Sequence, residues 1–266
     1  MNRVFVISLD HRHDRRNALT ARMRELAIPF EIFSAIDGKL LTKADLDAYD
    51  DFLMKRKILR SLSPSEIGCY LSHLAIWQHI VENNIDSATI LEDDITISDD
   101  FPTILDGIVH IPFKWDLIRL SGLDPTPSLK LCQISPGYTL AVPLGKANGA
   151  QGYSISRHGA IKLIQYSQPI PGTVDTSTLD CYFEVGLLAM DVRPYPIHEN
   201  RFFASSIAED RRPIVDAYRS VKKKSRLRFA IYRFKRSMSN RINFIYQLLN
   251  FIRFKTYLSR NSAAPK

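Results

Sequence analysis

An apolar run that ends in three adjacent carboxylates is the feature that most limits how this chain can fold. Ser87 to Leu91 has the composition of a buried strand, and Glu92, Asp93 and Asp94 follow directly. Adjacent carboxylates repel one another, and an unpaired carboxylate is costly to bury. The strand must therefore end where the three acids meet either water or a cation.

Two interpretations fit this run. In the first, the strand ends at Leu91, the acids form a solvated turn, and a second strand follows. In the second, the acids lie just beyond the carboxyl end of a strand in an open α/β sheet, where such sheets bind ligands. Hard cations such as Mg²⁺ and Mn²⁺ prefer carboxylate and phosphate oxygens, so this interpretation predicts a divalent metal and a phosphorylated ligand.

The beginning of the chain predicts the surrounding fold. Val4 to Ile7 has the pattern of a buried strand, Asn17 to Leu26 that of a helix, and Phe30 to Phe33 that of a second strand. The order of strand, helix and strand favours an α/β fold with a parallel, Rossmann-like sheet that is flanked by helices.

Four further helices are predicted. Ser63, Pro64 and Glu66 form a capping box, and an apolar stripe follows it at helical spacing: Ile67, Tyr70, Leu71, Leu74, Trp77 and Val81. The sequence also predicts a helix from Arg157 to Tyr166 and one from Leu179 to Leu188. The carboxylates of Asp99 and Asp100 are interpreted as N-capping groups of a helix that follows them.

The net charge of +8 hides an asymmetry between two segments. Residues 217–266 contain 14 Lys and Arg and no Asp or Glu, which leaves 22 basic and 28 acidic residues in 1–216. We therefore expect two units. Residues 1–216 form a domain, the body, that would carry any catalytic site, and residues 217–266 form a basic amphipathic helical tail.

The tail combines basic residues with apolar residues at helical spacing. Such a helix is typical of an interfacial anchor on an anionic membrane surface. A helical hairpin packed on the body or on a partner chain and a nucleic-acid patch are the alternatives. The apolar half, Ile242 to Phe254, is too hydrophobic for a simple RNA-binding arm, so no nucleic acid is expected.

The cysteines and the N-terminus bear on localisation. Cys69, Cys132 and Cys181 form no CxxC pair, which favours a reducing compartment. The apolar run from Val4 to Leu9 is too short for the core of a signal peptide. With the basic tail, these features predict a cytoplasmic protein that lies peripherally on an anionic membrane surface.

An ordered set of motifs over residues 1–210 resembles glycosyltransferase family 25, the bacterial lipooligosaccharide galactosyltransferases, whose module also occurs in collagen galactosyltransferases. The motifs are Ser8-Leu9 with Arg15-Arg16, SAIDGK (34–39), IGCYLSHLAIW (67–77), ILEDD (90–94), GYSISRHGA (152–160) and SSI (205–207). The resemblance implies a GT-A fold, a nucleotide-sugar donor, a divalent metal and inversion at the anomeric carbon.

The resemblance thus implies a hexose transferase, with galactose from UDP-galactose as the expected donor sugar and a lipid-linked oligosaccharide of the lipooligosaccharide or LPS type as acceptor. Mn²⁺ is expected rather than Mg²⁺, although carboxylates alone do not distinguish the two ions. One alternative is a metal-dependent phosphohydrolase, but Glu92 stands where its DxDx[TV] motif has the nucleophilic Asp. The other is a non-catalytic membrane- or nucleic-acid-associated protein with a degenerate transferase body.

By the same resemblance, Asp94 is the expected metal ligand, and Glu92 and Asp93 contact the nucleoside or the metal through water. Side-chain alternation on an extended segment puts Glu92 beside Asp94 and Asp93 on the other side, which favours Glu92 as a second metal ligand. The remaining predicted binding residues are Ser8, Arg16 and Asp37 for the donor, His73 for donor or acceptor, and Asn148, Gly149 and Tyr153 for the acceptor. Each has a structural alternative, such as a turn, a solvated helix start or a core histidine.

Inverting transfer also needs a general base near the acceptor hydroxyl. The family pattern has an Asp after the GYSISRHGA helix, and both Asp175 and Asp180 fit it. The spacing to Pro194 favours Asp180, for which a helix N-cap is the structural alternative.

Overall fold

The computed structural model describes residues 3–47, 49–124, 126–200, 202–203, 210–211, 214 and 226–262. The strands are β1 (Arg3–Ser8), β2 (Glu31–Ser34), β3 (Ser87–Glu92), β4 (Ile95–Ile97), β5 (Leu117–Arg119), β6 (Ser128–Ser135), β7 (Tyr138–Pro143), β8 (Gly152–Ser156), β9 (Ala189–Arg193) and β10 (Ile197–Glu199). The α-helices are α1 (His13–Glu25), α2 (Lys43–Leu46), α3 (Asp51–Lys57), α4 (Pro64–Glu82), α5 (Phe101–Val109), α6 (Arg157–Tyr166), α7 (Tyr182–Val185) and α8 (Arg226–Ser262).

Eight strands form one mixed sheet in the order β2-β1-β3-β8-β5-β9-β7-β6. The first three strands are parallel, as are β5 and β9, whereas β8 runs antiparallel to both of its neighbours and β7 to both of its own. The predicted α/β class is confirmed, and the architecture is consistent with a GT-A-like fold. The insertion of β8 between β3 and β5 makes the sheet mixed.

Both faces of the sheet are covered, and the alternation along β1 explains why this strand is apolar throughout. Phe5 and Ile7 join one core cluster with residues of α4 and α6. Val4 and Val6 point to the other face, where they meet residues of α1 and α5. A strand that is buried on both faces needs a continuous apolar run, as parallel sheets generally do.

The carboxyl ends of β1, β2 and β3 meet at one edge of the sheet. Ser8 lies opposite Ser34, and Ile7 lies opposite Glu92. The acidic run is therefore delivered to the edge at which α/β sheets bind ligands.

The local signals of α4 and α6 are confirmed. The hydroxyl of Ser63 accepts a hydrogen bond from the Glu66 amide, and the Glu66 side chain accepts one from the Ser63 amide, which completes the predicted capping box. Helix α6 spans the predicted residues.

Two local predictions are wrong. Asp100 occupies the N-cap of α5 without a side-chain capping bond, and Asp99 pairs with Arg22 on α1 instead. The helix predicted from Leu179 to Leu188 is replaced by a π-helical turn, Asp175–Leu179, and the short α7. Gly186, with a φ of 72°, ends α7 in the left-handed conformation that favours glycine.

Helix α8 turns its polar side toward the body. Asn243, Gln247, Asn250 and Phe254 are buried, and the Asn243 side chain accepts a hydrogen bond from the Phe183 amide (2.8 Å). The opposite side is exposed and carries the apolar stripe of α8: Leu227, Ile231, Phe234, Met238, Ile242, Ile245, Leu249 and Ile252. Among the described residues, no helix is both long and apolar enough to cross a bilayer.

The division of the chain at residue 216 stays a prediction, because residues 215–225 lie outside the described part. The SSI motif, residues 205–207, lies outside it as well. The predicted tail helix is nevertheless present from Arg226, and its second half is anchored to the body.

Two glycines let the loop after β2 pack directly on α4. A Cβ on Gly68 would lie 2.6 Å from the Ile36 carbonyl oxygen and 2.7 Å from the Gly38 nitrogen. A Cβ on Gly38 would in turn collide with the carbonyl group of Pro64. The glycines in the SAIDGK and IGCYLSH motifs are therefore explained by close backbone contact.

We expect Gly68→Ala to destabilise the protein, although alanine favours a helix over glycine by about 1 kcal/mol. Overpacking against a rigid backbone costs about 1–3 kcal/mol, so the melting temperature should fall by a few degrees. The matched control is Gly145→Ala, whose new methyl group would meet only a Thr126 methyl group at 3.4 Å. Equal melting temperatures for the two variants would contradict this packing.

Candidate active site

A cavity of about 330 Å³ opens at the carboxyl edge of β1 and β3, and we call it the acidic cavity. The loop after β2 and one side of α4 complete its walls. It brings together six residues that the sequence analysis selected: Ser8, Asp37, His73, Glu92, Asp93 and Asp94. Arg12, Arg15 and Lys39 also line it and supply positive charge.

Both interpretations of the acidic run are partly correct. Strand β3 ends at Glu92, and Asp93 and Asp94 form a bend before the short β4, so a turn and a second strand do follow. The turn is not solvated, because Asp93 is only 7% exposed. The predicted alternation is wrong beyond Glu92, since the chain leaves the extended conformation there, and all three acids line the same cavity.

Each carboxylate oxygen of Asp93 has a polar contact. The Ser8 hydroxyl donates to its Oδ2 atom (2.7 Å), and an Arg15 nitrogen lies 3.5 Å from its Oδ1 atom. Burial raises the pKa of Asp93, and these two contacts oppose the rise. Arg16 donates to the Ser8 hydroxyl (3.2 Å) and to the Leu9 carbonyl (3.1 Å), so it supports the end of β1 from behind the cavity lining.

Asp94 has one satisfied and one unsatisfied oxygen. Its Oδ2 atom accepts from Arg15 (3.1 Å), whereas its Oδ1 atom is buried without a hydrogen-bond partner among the described residues. Burial raises the pKa of Asp94 to about 7; the negative charge of Glu92 adds to the rise, and Arg15 opposes it. A buried carboxylate oxygen without a partner is a position that a cation would fill.

Glu92 belongs to a group of possible metal ligands together with His73 and Cys69. Its Oε1 atom lies 3.4 Å from Nε2 of His73 and 3.9 Å from the Cys69 sulfur, and one ligand atom from each of these three residues lies within 4.8 Å of the others. Burial raises the pKa of Cys69 well above its usual range, which keeps the thiol protonated. The carboxylates of Asp94 and Glu92 therefore fit a hard divalent ion better than the thiol fits a soft one.

A buried hydrogen-bond chain orients His73. The indole N–H of Trp77 donates to the Tyr153 hydroxyl (2.8 Å), and that hydroxyl lies 2.8 Å from Nδ1 of His73. Because the hydroxyl accepts from Trp77, its own hydrogen is available to Nδ1, which assigns the imidazole hydrogen to Nε2, facing Glu92. Tyr153 thus lies behind His73, in the core, and not on the cavity lining where an acceptor would contact it.

Asn148 and Gly149 lie in a second polar cluster with the two candidate bases. The amide of Asn148 donates to Asp180 (2.9 Å), and the amide of Gly149 donates to Asp175 (3.2 Å). Arg119 donates to both carbonyl groups of this loop. Gly149 has a φ of 79°, and a Cβ there would collide with the side chain of Gln151, so this position requires glycine.

The burial of Asp180 argues against its predicted role as the base. Its side chain is 0% exposed and forms an ion pair with Arg119 (3.1 Å), and it accepts a hydrogen bond from the Tyr182 hydroxyl (3.1 Å). It does not cap α7 either, because Cys181 occupies that N-cap position. Asp175 is partly exposed, so it is the carboxylate that an acceptor hydroxyl can approach.

Three contributing residues were missed or underweighted by the sequence analysis. Arg15 neutralises part of the acidic run, Cys69 lies beside Glu92, and Arg119 holds the loop of Asn148. A signal for Arg119 was available, because a charged residue within the apolar run from Leu117 to Leu120 needs a buried partner. No local signal separates the roles of Arg15 and Arg16.

The raised pKa of Asp94 predicts a pH dependence of stability. Its ordinary value is 3.8 and its value in the folded protein is about 7, so between these values the folded state keeps a proton that the unfolded state releases. The free energy of unfolding of the metal-free protein should therefore fall as the pH rises through this window. We expect Asp94→Asn to flatten the dependence, measured as melting temperature from about pH 4 to about pH 8.

Asp47→Asn is the control for this measurement, because Asp47 is exposed and far along the chain from the acidic run. It should keep the wild-type slope. Added Mn²⁺ should raise the melting temperature at the high-pH end in the wild type and not in Asp94→Asn. A wild-type slope in Asp94→Asn would show that the burial of Asp94 is not responsible.

Comparison with known proteins gives a consistent set of relatives. The chain is 32% identical to procollagen galactosyltransferase 1-B of Xenopus laevis over 179 residues, which cover 60% of this chain and 28% of that protein. It is 27% identical to procollagen galactosyltransferase 2 of Mus musculus over 174 residues, covering 60% and 27% of the two chains.

A third relative carries a different description. The probable inactive glycosyltransferase 25 family member 3 of Rattus norvegicus is 29% identical over 180 residues, covering 63% of this chain and 30% of that protein. The chain thus spans less than a third of the length of these three relatives.

The family model described as "Glycosyltransferase family 25 (LPS biosynthesis protein)" matches residues 1–127. This region contains β1, the SAIDGK loop, α4 and the whole acidic run, which together build the acidic cavity. The resemblance predicted from the motifs is thereby confirmed, and residues 1–127 of the chain match the model of glycosyltransferase family 25.

Proposed function

We propose that this protein is a metal-dependent, inverting glycosyltransferase that moves galactose from UDP-galactose to a glycan acceptor of the lipooligosaccharide or LPS type. The observation that carries the proposal is a buried oxygen of Asp94 that has no hydrogen-bond partner among the described residues, in a cavity that Glu92 also lines at the carboxyl edge of the sheet. The galactosyltransferase relatives support the choice of sugar.

The volume, the basic residues and the Asp37 carboxylate of the acidic cavity suit a nucleoside diphosphate sugar. Its volume of about 330 Å³ falls at the lower end of the range for small-molecule sites. Arg12 and Lys39 offer cations to phosphate oxygens. One oxygen of Asp37 accepts from the Lys39 amide (2.9 Å), which holds the donor loop, and the other lies 3.7 Å from Nδ1 of His11, where a ribose hydroxyl would compete with the imidazole.

Asp94 and Glu92 would hold the divalent ion, with His73 keeping Glu92 in place through its Nε2 hydrogen. When bound, such an ion neutralises the charge that develops on the diphosphate leaving group. Arg15 limits the repulsion among the acids before the ion arrives, and Asp93 and Ser8 fix the backbone from which Asp94 projects.

The geometry favours Asp175 as the base that takes the proton from the acceptor hydroxyl. Asp180 then has a positioning role, because it and Arg119 clamp the Asn148 loop whose neighbouring amide contacts Asp175. Proton transfer by a positioned base contributes about 10²–10⁴ in rate.

The first experiment measures UDP release from a panel of UDP-sugars, with Mn²⁺ or with EDTA. We expect release from UDP-galactose with Mn²⁺, and a loss of at least 100-fold in Asp94→Ala, because the leaving group loses its charge compensation. Asp47→Ala, which removes an exposed carboxylate, is the control and should behave like the wild type.

Two further variants separate the roles of the aspartates. Asp175→Asn should bind UDP like the wild type and release it from UDP-galactose at least 100-fold more slowly. Asp180→Asn should lower the melting temperature, because it leaves Arg119 buried without its partner. If the wild type neither binds nor cleaves any UDP-sugar, the transferase proposal is wrong, and the non-catalytic alternative, which the inactive relatives illustrate, takes its place.

The proposal includes a membrane-bound acceptor, which the exposed side of α8 supports. The apolar stripe faces away from the body, and residues 226–262 contain nine Lys and Arg and no Asp or Glu. Each basic residue near an anionic bilayer contributes about 1 kcal/mol. The helix would therefore lie on the inner face of the cytoplasmic membrane with its stripe among the headgroups.

We expect the double variant Ile245→Glu/Leu249→Glu to bind phosphatidylglycerol vesicles at least tenfold more weakly than the wild type in a sedimentation assay. It removes two stripe residues that are 57% and 60% exposed. The control, Leu46→Glu/Val109→Glu, makes the same charge change at exposed apolar residues of the body and should bind normally. Equal binding by both variants would contradict the membrane role of the stripe.

A further inference from the structure

A second, larger cavity of about 850 Å³ lies between the body and the first half of α8, and we call it the basic cleft. Eight of the side chains that line it are Lys or Arg, and one is a carboxylate, Glu184. The acidic cavity differs in its lining, which contains Asp37, Glu92, Asp93 and Asp94.

Most of the positive charge in the basic cleft has no carboxylate partner among the described residues. Within that part of the chain, only Arg60 and Arg211 of the cleft form a salt bridge, and both of them pair with Glu66. The other six basic residues have no salt bridge to a carboxylate in the described parts of the chain: Arg56, Lys57, Lys146, Arg228, Lys235 and Arg236. Concentrated cations of this kind are unfavourable in the free protein and favour an anionic ligand.

The remaining lining groups suit a sugar. The hydroxyl groups of Thr173, Thr176 and Ser177 and the rings of Tyr166 and Tyr232 face the same cleft. The amino group of Lys57 lies 5.7 Å from the centre of the Tyr166 ring. Hydroxyl donors, aromatic surfaces and cations together match a glycan that bears phosphate or carboxylate groups.

The N-terminus of α4 separates the basic cleft from the acidic cavity. Ser65 lines the acidic cavity, and its neighbour Glu66 binds Arg60 (2.7 and 2.8 Å), which lines the basic cleft. Asp175 begins the π-helical turn Asp175–Leu179, whose Ser177 lines the basic cleft. The residues that flank Asp175 in sequence, Thr173 and Thr176, line the basic cleft.

The cleft also opens beside the apolar stripe of α8. Ile231 belongs to the stripe and lines the cleft as well. A glycan that enters the cleft from this side can remain attached to a lipid in the bilayer on which the stripe rests.

We propose that the basic cleft binds the phosphate- or carboxylate-bearing part of the acceptor glycan and thereby presents an acceptor hydroxyl to Asp175. This inference rests on the proposed transferase function and adds to it a chemical class for the acceptor, an anionic oligosaccharide. It also gives the first half of α8 a second role, as one wall of the acceptor site.

The test measures binding of inositol hexakisphosphate, a soluble polyanion, to the full chain by calorimetry. The variant Lys57→Gln/Lys235→Gln removes one cation from each wall of the cleft, and we expect it to bind at least tenfold more weakly than the wild type. The control, Arg253→Gln/Arg260→Gln, removes the same charge from exposed positions of α8 that do not line the cleft and should bind within about twofold of the wild type.

Equal loss in the two variants would overturn the proposal, because diffuse charge on α8 would then explain the binding. Unchanged binding in both would overturn it as well. Phosphatidylglycerol vesicles distinguish the source of the anion: the cleft variant should bind them as tightly as the control does, and a selective loss of vesicle binding would assign the cleft to lipid headgroups instead.

The outcome is separable from that of the transferase proposal. If the wild type binds inositol hexakisphosphate in the cleft but releases no UDP from any UDP-sugar, the anion site stands and the transferase proposal fails. If UDP release is metal-dependent but the cleft variant binds the polyanion normally, the transferase proposal stands and the acceptor assignment fails.

Discussion

The contact of Arg15 with Asp93 and Asp94 is the interaction on which the rest of the acidic cavity depends. It lets two adjacent carboxylates enter a largely buried position at the end of β3. One guanidinium group cannot neutralise three acids, and burial together with the charge of Glu92 raises the pKa of Asp94. A cation bound at this site would lower the repulsion among the acids.

The surrounding structure holds the groups of the acidic cavity in place. Gly38 and Gly68 let the loop after β2 pack directly on α4, and the Ile36 amide donates to the Ser72 hydroxyl there (2.8 Å). The chain of hydrogen bonds from Trp77 through Tyr153 fixes the His73 ring against Glu92. Side chains that are locked by packing and by hydrogen bonds cannot rotate their charges toward solvent, and preorganised sites are built in this way.

Structural features that are set by neighbouring residues could be predicted from the sequence. Features that depend on partners from distant parts of the chain could not. The capping box of α4 and the position of the acids at a strand end are set by local pattern, and both are confirmed. The alternation expected through Asp93 failed because a bend follows Glu92. The role of Asp180 could not be predicted, because it depends on Arg119, which a different strand brings to it. The buried side of α8 is polar, since Asn243 and Gln247 bind backbone groups of the body, and no periodicity reports such partners.

Glu66 has two structural roles, and a change in one would affect the other. This buried carboxylate completes the capping box of α4 and also holds Arg60 and Arg211, so an anion that draws either arginine into the basic cleft must weaken its bond to Glu66. The N-terminus of α4, which carries Ser65 on the other side, then experiences the change. Occupancy of one cavity would thus alter the affinity of the other, and by thermodynamic reciprocity the same factor would act in both directions. The order in which the two substrates arrive would then affect the rate and leave the combined binding free energy unchanged.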